Sequence, residues 1–264
     1  MNSRLFQRDF TIMILGQIIS LFGNAILRFS LSLYVLEVTG SAAVFGTILA
    51  VSMIPTVLLS PFGGVLADRL PKQKIMTILD FVTAGLIVFY DAVYGSAGNL
   101  AAVTIFMILL TLIQAFYQPS VQASIPLLAS QEQLMAANGI VMQVQALAGL
   151  LGPILAGMLY GIGGVKPILA ASAVCFFLSA VMELFLRIPH EKREADGSPV
   201  RMALLDLKGA VTYLIRENTC LFKLLIVVAG INLFLSALFI IGLPYLVKIY
   251  LGMSAQAYGF AEAA

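Results

Sequence analysis

Seven long apolar runs, each near the length needed to cross a bilayer, constrain this chain more than any other feature. A helix needs about 20 mainly apolar residues to traverse roughly 30 Å of hydrocarbon. The runs extend approximately over Phe10 to Leu36, Ala42 to Ala67, Ile75 to Tyr94, Leu100 to Tyr117, Asn138 to Ile162, Ile168 to Leu186 and Leu221 to Val247. Continuous runs exclude the short alternating strands of a membrane barrel. The expected fold class is therefore an all-α membrane bundle. With 61% hydrophobic and 11% charged residues and a mean hydropathy of +1.01, the chain does not read as a water-soluble enzyme. Asn24 and Arg28 break the first run and no small-residue cleavage pattern follows it, so it reads as a retained helix rather than a signal peptide.

Positive residues gather on the cytoplasmic side of short loops. Arg4 and Arg8 precede the first run, Arg69, Lys72 and Lys74 separate the second and third, and seven more, from Arg187 to Lys223, separate the sixth and seventh. The alternate loops hold only Lys166 and Lys248. This asymmetry places the amino terminus in the cytoplasm and the chain in the cell membrane, with the lipid bilayer as its first partner. The net charge of +2 reports topology, and no basic domain with interleaved aromatics suggests a nucleic-acid partner. Cys175 and Cys220 are too few and too separated for a disulfide framework or a metal site, and His190 sits among loop charges. No cofactor is expected.

The charged stretch from Pro189 to Pro199 is the main boundary. It divides a six-helix bundle over 1–187 from a cytoplasmic linker over 188–220 and the start of a second bundle over 221–264. Within the linker, Val200, Leu204, Leu207, Val211 and Leu214 recur at helical spacing. They predict a short amphipathic helix, lying either on the membrane surface or against the bundle. The first run leads into Ser41-Ala42-Ala43-Val44-Phe45-Gly46 and the seventh into Ser254-Ala255-Gln256-Ala257-Tyr258-Gly259. That recurrence makes the seventh run the counterpart of the first in a two-repeat transporter. The expectation is a fragment whose own carboxy-terminal half is missing and whose eighth helix has only begun.

The densest charge cluster is Gly64-Val65-Leu66-Ala67-Asp68-Arg69-Leu70-Pro71-Lys72-Gln73-Lys74, at a turn between two runs. Gly64, Asp68, Arg69 and Lys72 resemble the loop signature of the major facilitator superfamily, especially its bacterial drug, macrolide and siderophore exporters. Pro71 replaces the signature's second Gly and Gln73 a basic residue. In the fifth run, Gly152-Pro153-Ile154-Leu155-Ala156-Gly157 is similar to a Gly-Pro signature of exporters in that superfamily, with Ala148 in place of an upstream Gly. Thr111, Gln114 and Ala115 stand where the resemblance implies Arg, Gln and Gly, so no proton-coupling Arg can be named there. The resemblance implies half of a twelve-helix fold and alternating access. It also implies a conformational latch at Gly64, Asp68, Arg69 and Lys72, in which Asp68 meets a helix of the second half. A solvated loop charge that only sets topology accounts for the same residues.

Arg28 is the sharpest single residue, since an Arg at mid-membrane costs about 2.5 to 3.5 kcal/mol on insertion scales. Gln17, Ser20, Asn24, Arg28 and Ser32 follow at spacings of three or four and share one helix face. That stripe is expected to line a substrate pathway with Gln114, Gln145 and Asn232, and more loosely Gln118, Asn138, Gln143 and Ser236. Alternatively, Arg28 snorkels or serves folding alone. Asp91 lies at comparable depth and is one potential partner for it, unless it belongs to the outer loop. Asp80 is expected to join the latch, by ion pairing or helix-end hydrogen bonding with the nearby charge cluster and not by substrate contact. Close helix contact alone also accounts for Gly152, Pro153, Ala156 and Gly157.

The resemblance implies a secondary transporter that exports its substrate in exchange for protons, and these sparsely charged residues favour hydrophobic or amphipathic compounds. A non-transporting membrane scaffold or ligand-binding bundle is the alternative. No phosphate-binding Gly-rich loop is present, and the runs offer no paired carboxylates at one depth of the kind a membrane enzyme needs.

Overall fold

The computed structural model describes residues 7–95, 99–189, 208–209 and 211–263, with the side chains of Pro61, Val65, Asp68 and Glu217 outside the description. The proposed amphipathic helix and His190 fall largely outside these residues.

The apolar runs fold as α1 (Arg8–Thr39), α2 (Ala42–Arg69), α3 (Lys72–Tyr94), α4 (Leu100–Leu128), α5 (Leu134–Gly163), α6 (Lys166–Leu184), α7 (Thr219–Ala237) and a shorter α8 (Ala255–Ala263). No strand occurs among the described residues. Seven of the helical segments are long and apolar enough to cross a membrane. Short connections make successive helices antiparallel, so Arg8, Arg69 and Leu184 lie at one end, here the near end, and Gly40, Gly163 and Lys248 at the far end.

Large apolar side chains cover the outside: Val57 is 74% exposed and Phe234 78%. Such a surface suits hydrocarbon and not water. Inside, one core joins α1, α3, α4 and α6 through Leu27, Leu31, Ile87, Phe106, Ile168 and Phe176. A second, at the near end, gathers Phe10, Met13, Met76, Tyr117, Val121 and Leu186.

One departure from the expected spans has a local cause. The fourth run ends at Tyr117 by its composition, yet α4 continues to Leu128 through Pro119 and Pro126. Proline removes a donor and frees the carbonyl four residues back; Ser120 and Ser124 hydroxyls donate to the Phe116 and Ser120 carbonyls in the same stretch. The Ala115 carbonyl, freed by Pro119, is met by Gly63 of α2, where any Cβ would collide with it. The seventh span continues past α7 to Tyr250 through two wide turns, Leu238–Gly242 and Tyr245–Tyr250, flanking Pro244.

The near-end turn needs no glycine where Pro71 stands. Pro71 has φ −58° and caps α3 directly after α2, and no non-glycine residue described has positive φ. The absent basic residue is likewise accounted for. Gln73 Nε2 donates to the Glu183 and Leu184 carbonyls at 3.1 and 3.3 Å, satisfying the end of α6 from the first turn of α3.

The recurring six-residue pattern has one structural meaning in both places. Gly40 at φ 58° ends α1, and Ser41 then accepts the Val44 amide at the start of α2. Gly252 at φ 60° precedes Ser254, whose hydroxyl accepts the Ala257 amide at the start of α8. Left-handed backbone favours Gly, and Ser satisfies a helix's first free donors.

Candidate functional site

The face of α1 expected to line a pathway divides into two environments. Gln17 and Ser20 are wholly packed at the near end, whereas Asn24, Arg28 and Ser32 are half-buried. Arg28 makes no hydrogen bond or ion pair with a described residue. Asp91 is not its partner: one Asp91 carboxylate oxygen is buried without any hydrogen bond. Gln114 of α4 and Gln145 of α5 are also half-buried. Asn232 stands apart, exposed on α7 and donating to its own helix at the Val228 carbonyl, 2.9 Å away. Asn138 does the same at Leu134.

At the near end, Gly64 is half-buried with open space where a Cβ would point, Arg69 closes α2 and Lys72 opens α3. The Asp68 side chain lies outside the described residues. Asp80 does not join these cations. It is buried and accepts a hydrogen bond from Ser20 of α1 at 3.4 Å. Two and a half turns into α3, its side chain projects into the bundle and away from the water-facing turn.

There it meets a residue that the sequence reading passed over. Glu183 of α6 is fully buried and accepts a 2.8 Å hydrogen bond from the Tyr117 hydroxyl of α4. Gly16 and Ser20, about one turn apart on α1, lie against Glu183 and Asp80 respectively, which sets both acids beside the same stretch of α1. The expectation of no paired carboxylates is thereby corrected: the two acids come from helices a hundred residues apart in sequence, and only packing brings them together. A lone Glu inside an apolar run was the signal that could have found it.

The Gly-Pro segment of α5 is a contact surface on two sides. A Cβ on Gly152 would lie 2.6 Å from that of Ala25 in α1, and one on Gly157 would lie 2.6 Å from the Ala255 carbonyl of α8. Gly259 of α8 in turn approaches the Pro153 carbonyl too closely for any side chain. Ala156 is fully buried beside Phe29, Leu33, Val247, Ala255 and Tyr258, with Phe29 and Tyr258 stacked at 4.7 Å. Small residues thus let α5 bind α1 and α8 simultaneously.

A cleft of about 680 Å³ lies between α2 and α4 and is lined by Val44, Thr47, Ile48, Leu100, Thr104 and Ile105. None of the pathway candidates borders it.

The model of the Major Facilitator Superfamily matches residues 13–264. Macrolide efflux protein A of Streptococcus pyogenes is 29% identical over 80% of this chain and 52% of its own length. The protein of the same name from Enterococcus faecalis is 28% identical over 71% of this chain and 58% of its own length. Staphyloferrin A transporter of Staphylococcus aureus is 24% identical over 67% and 45%. The chain spans about half the length of these relatives.

Proposed function

Because this chain belongs to the Major Facilitator Superfamily, we propose that it forms the first half and the opening of the second half of a secondary exporter in the cell membrane. The whole protein moves hydrophobic or amphipathic compounds, of the macrolide or siderophore kind, outward in exchange for protons. Its amino terminus and the Asp68 turn face the cytoplasm, as the distribution of Lys and Arg favours.

One observation carries this reading: the α5 segment around Gly152 and Gly157 is a seam of small residues against α1 on one side and α8, the second helix of the next unit, on the other. Alternating access needs two bodies that rock against each other about such a seam. A smooth backbone contact slides at little cost because no long side chain must be withdrawn. The repeated Gly-then-Ser helix junctions support treating α7 and α8 as the start of the second body. Arg28, with Asn24, Ser32, Gln114 and Gln145, borders the path, and Asp68 with Gly64, Arg69 and Lys72 latches the cytoplasmic side.

The test is drug accumulation in cells lacking their own exporters and expressing the full-length protein. Lower accumulation of a macrolide or a ferric siderophore, abolished by a protonophore and by Asp68→Asn, is the expected result. Unchanged or increased accumulation of every compound tried overturns the reading.

A further inference from the structure

Six buried side-chain oxygen or nitrogen atoms among the described residues have no hydrogen-bond partner, and five of them fall in one place. They are Gln17 Oε1 and Nε2 on α1, Thr77 Oγ1 and Asp80 Oδ2 on α3, and Glu183 Oε2 on α6. Buried polar atoms are satisfied in the great majority of cases, so a cluster of exceptions marks a place that engages something further. Gln17 is 0% exposed and lies one turn from Ser20, on the α1 face that meets Asp80. The neighbouring Gly16 touches α6 there: its carbonyl accepts from Ser179 at 3.0 Å, and its Cβ position lies 3.8 Å from Glu183 Cγ.

We propose that Asp80 and Glu183, with Gln17, Thr77 and Tyr117, form a proton-binding site enclosed between α1, α3, α4 and α6. This deepens, and rests on, the reading of proton-driven export by locating a coupling ion at the packed near end of that α1 face, apart from the half-buried Asn24, Arg28 and Ser32.

The chemistry selects a proton. Asp80 accepts from Ser20 of α1 and Glu183 from Tyr117 of α4, and no Lys or Arg among the described residues forms an ion pair with either. An uncompensated buried charge is costly, and a carboxylate relieves it most simply by binding a proton. A divalent metal wants more ligands, and no trio of His, Cys, Asp and Glu among the described residues is placed to hold one. On loading, an O–H bond forms on one carboxylate oxygen, using a proton from the aqueous phase beside the α2–α3 turn. That oxygen then becomes a donor toward the second carboxylate or toward Gln17 Oε1. Unloading leaves two like charges between α3 and α6, which drives those helices apart. Proton occupancy thereby acts on the element that carries the Lys72 end of the latch.

Infrared difference spectroscopy of the purified full-length protein, titrated in pH without any transported compound, tests this. The wild-type protein shows a protonated-carboxyl band that titrates in two steps and is the same in sodium, potassium or choline chloride. Asp80→Asn and Glu183→Gln each reduce it to one step, the double variant loses it, and Tyr117→Phe displaces its midpoint with the band retained. Absence of the band in the wild-type protein, its persistence in a folded double variant, or displacement by sodium or potassium overturns the proposal. Should the double variant not fold, titrations of the two single variants unchanged from wild type overturn it equally. Because no transported compound is present, failure here leaves the export reading standing, and failure of export leaves the proton site standing.

Discussion

Lys248 Nζ lies 2.8 Å from Glu37 Oε1, joining the Tyr245–Tyr250 turn that ends the seventh span to the far end of α1. The Tyr160 hydroxyl of α5 donates to the other Glu37 oxygen at 2.7 Å, so three helices meet at one carboxylate. The Lys248 side chain is 12% exposed and that of Glu37 36%. Partly solvated pairs of this kind contribute about 0 to 1 kcal/mol. Their weight here falls on which helices are held together.

Glu37→Cys with Lys248→Cys, bridged by a flexible thiol-reactive cross-linker in the full-length protein, is expected to stop efflux. Breaking the bridge with reductant restores it. Efflux that continues at the uncross-linked rate with the bridge intact excludes separation of α1 and α7 at this end during transport.

Arg28→Leu is expected to raise the thermal unfolding midpoint while abolishing efflux. Removing an Arg that pairs with no described residue strands no opposite charge, and it lifts an insertion penalty of about 2.5 to 3.5 kcal/mol. A variant that is less stable than wild type, or that still exports, assigns Arg28 to folding.

Gly152→Val and Gly157→Val are expected to destabilise by about 1 to 3 kcal/mol, the usual cost of overpacking. Each added Cβ would sit 2.6 Å from an atom of a neighbouring helix. Gly149→Ala on the same helix meets nothing within 4 Å and is expected to be neutral or stabilising, since Ala is about 1 kcal/mol the better helix former. Equal unfolding midpoints for all three in detergent would remove the seam from consideration.

Gln73→Ala is expected to lower stability by about 1 kcal/mol, the typical worth of a hydrogen bond. The loss is local, so faster amide exchange over residues 185–188 is the sharper readout. Gln73→Lys retains a donor and is expected to restore slow exchange.

Fold class and span count were legible because both rest on composition summed over about 20 residues, which no tertiary contact reverses. The same holds for the Gly-then-Ser junctions, where backbone sign and capping chemistry are local. Site chemistry was legible only where one residue is anomalous by itself, as Arg28 is. Asp80 looked like part of the charged turn because it lies eight residues from Lys72 in sequence. Its helical phase instead directs it inward to Ser20. Asn232 donates to its own backbone on α7, a local bond that residue type alone does not reveal.

The amino-acid sequence by itself determined that this protein is a stack of apolar helices, where they begin and end to within a turn except at α4, and which segments repeat. Only the tertiary structure decided which polar residues meet, because Asp80, Tyr117 and Glu183 come from three helices and a helix's own periodicity says which face a residue occupies without saying what that face touches. It also decided that the α5 glycines serve two neighbours simultaneously, since a missing side chain acquires meaning only from the backbone that approaches it.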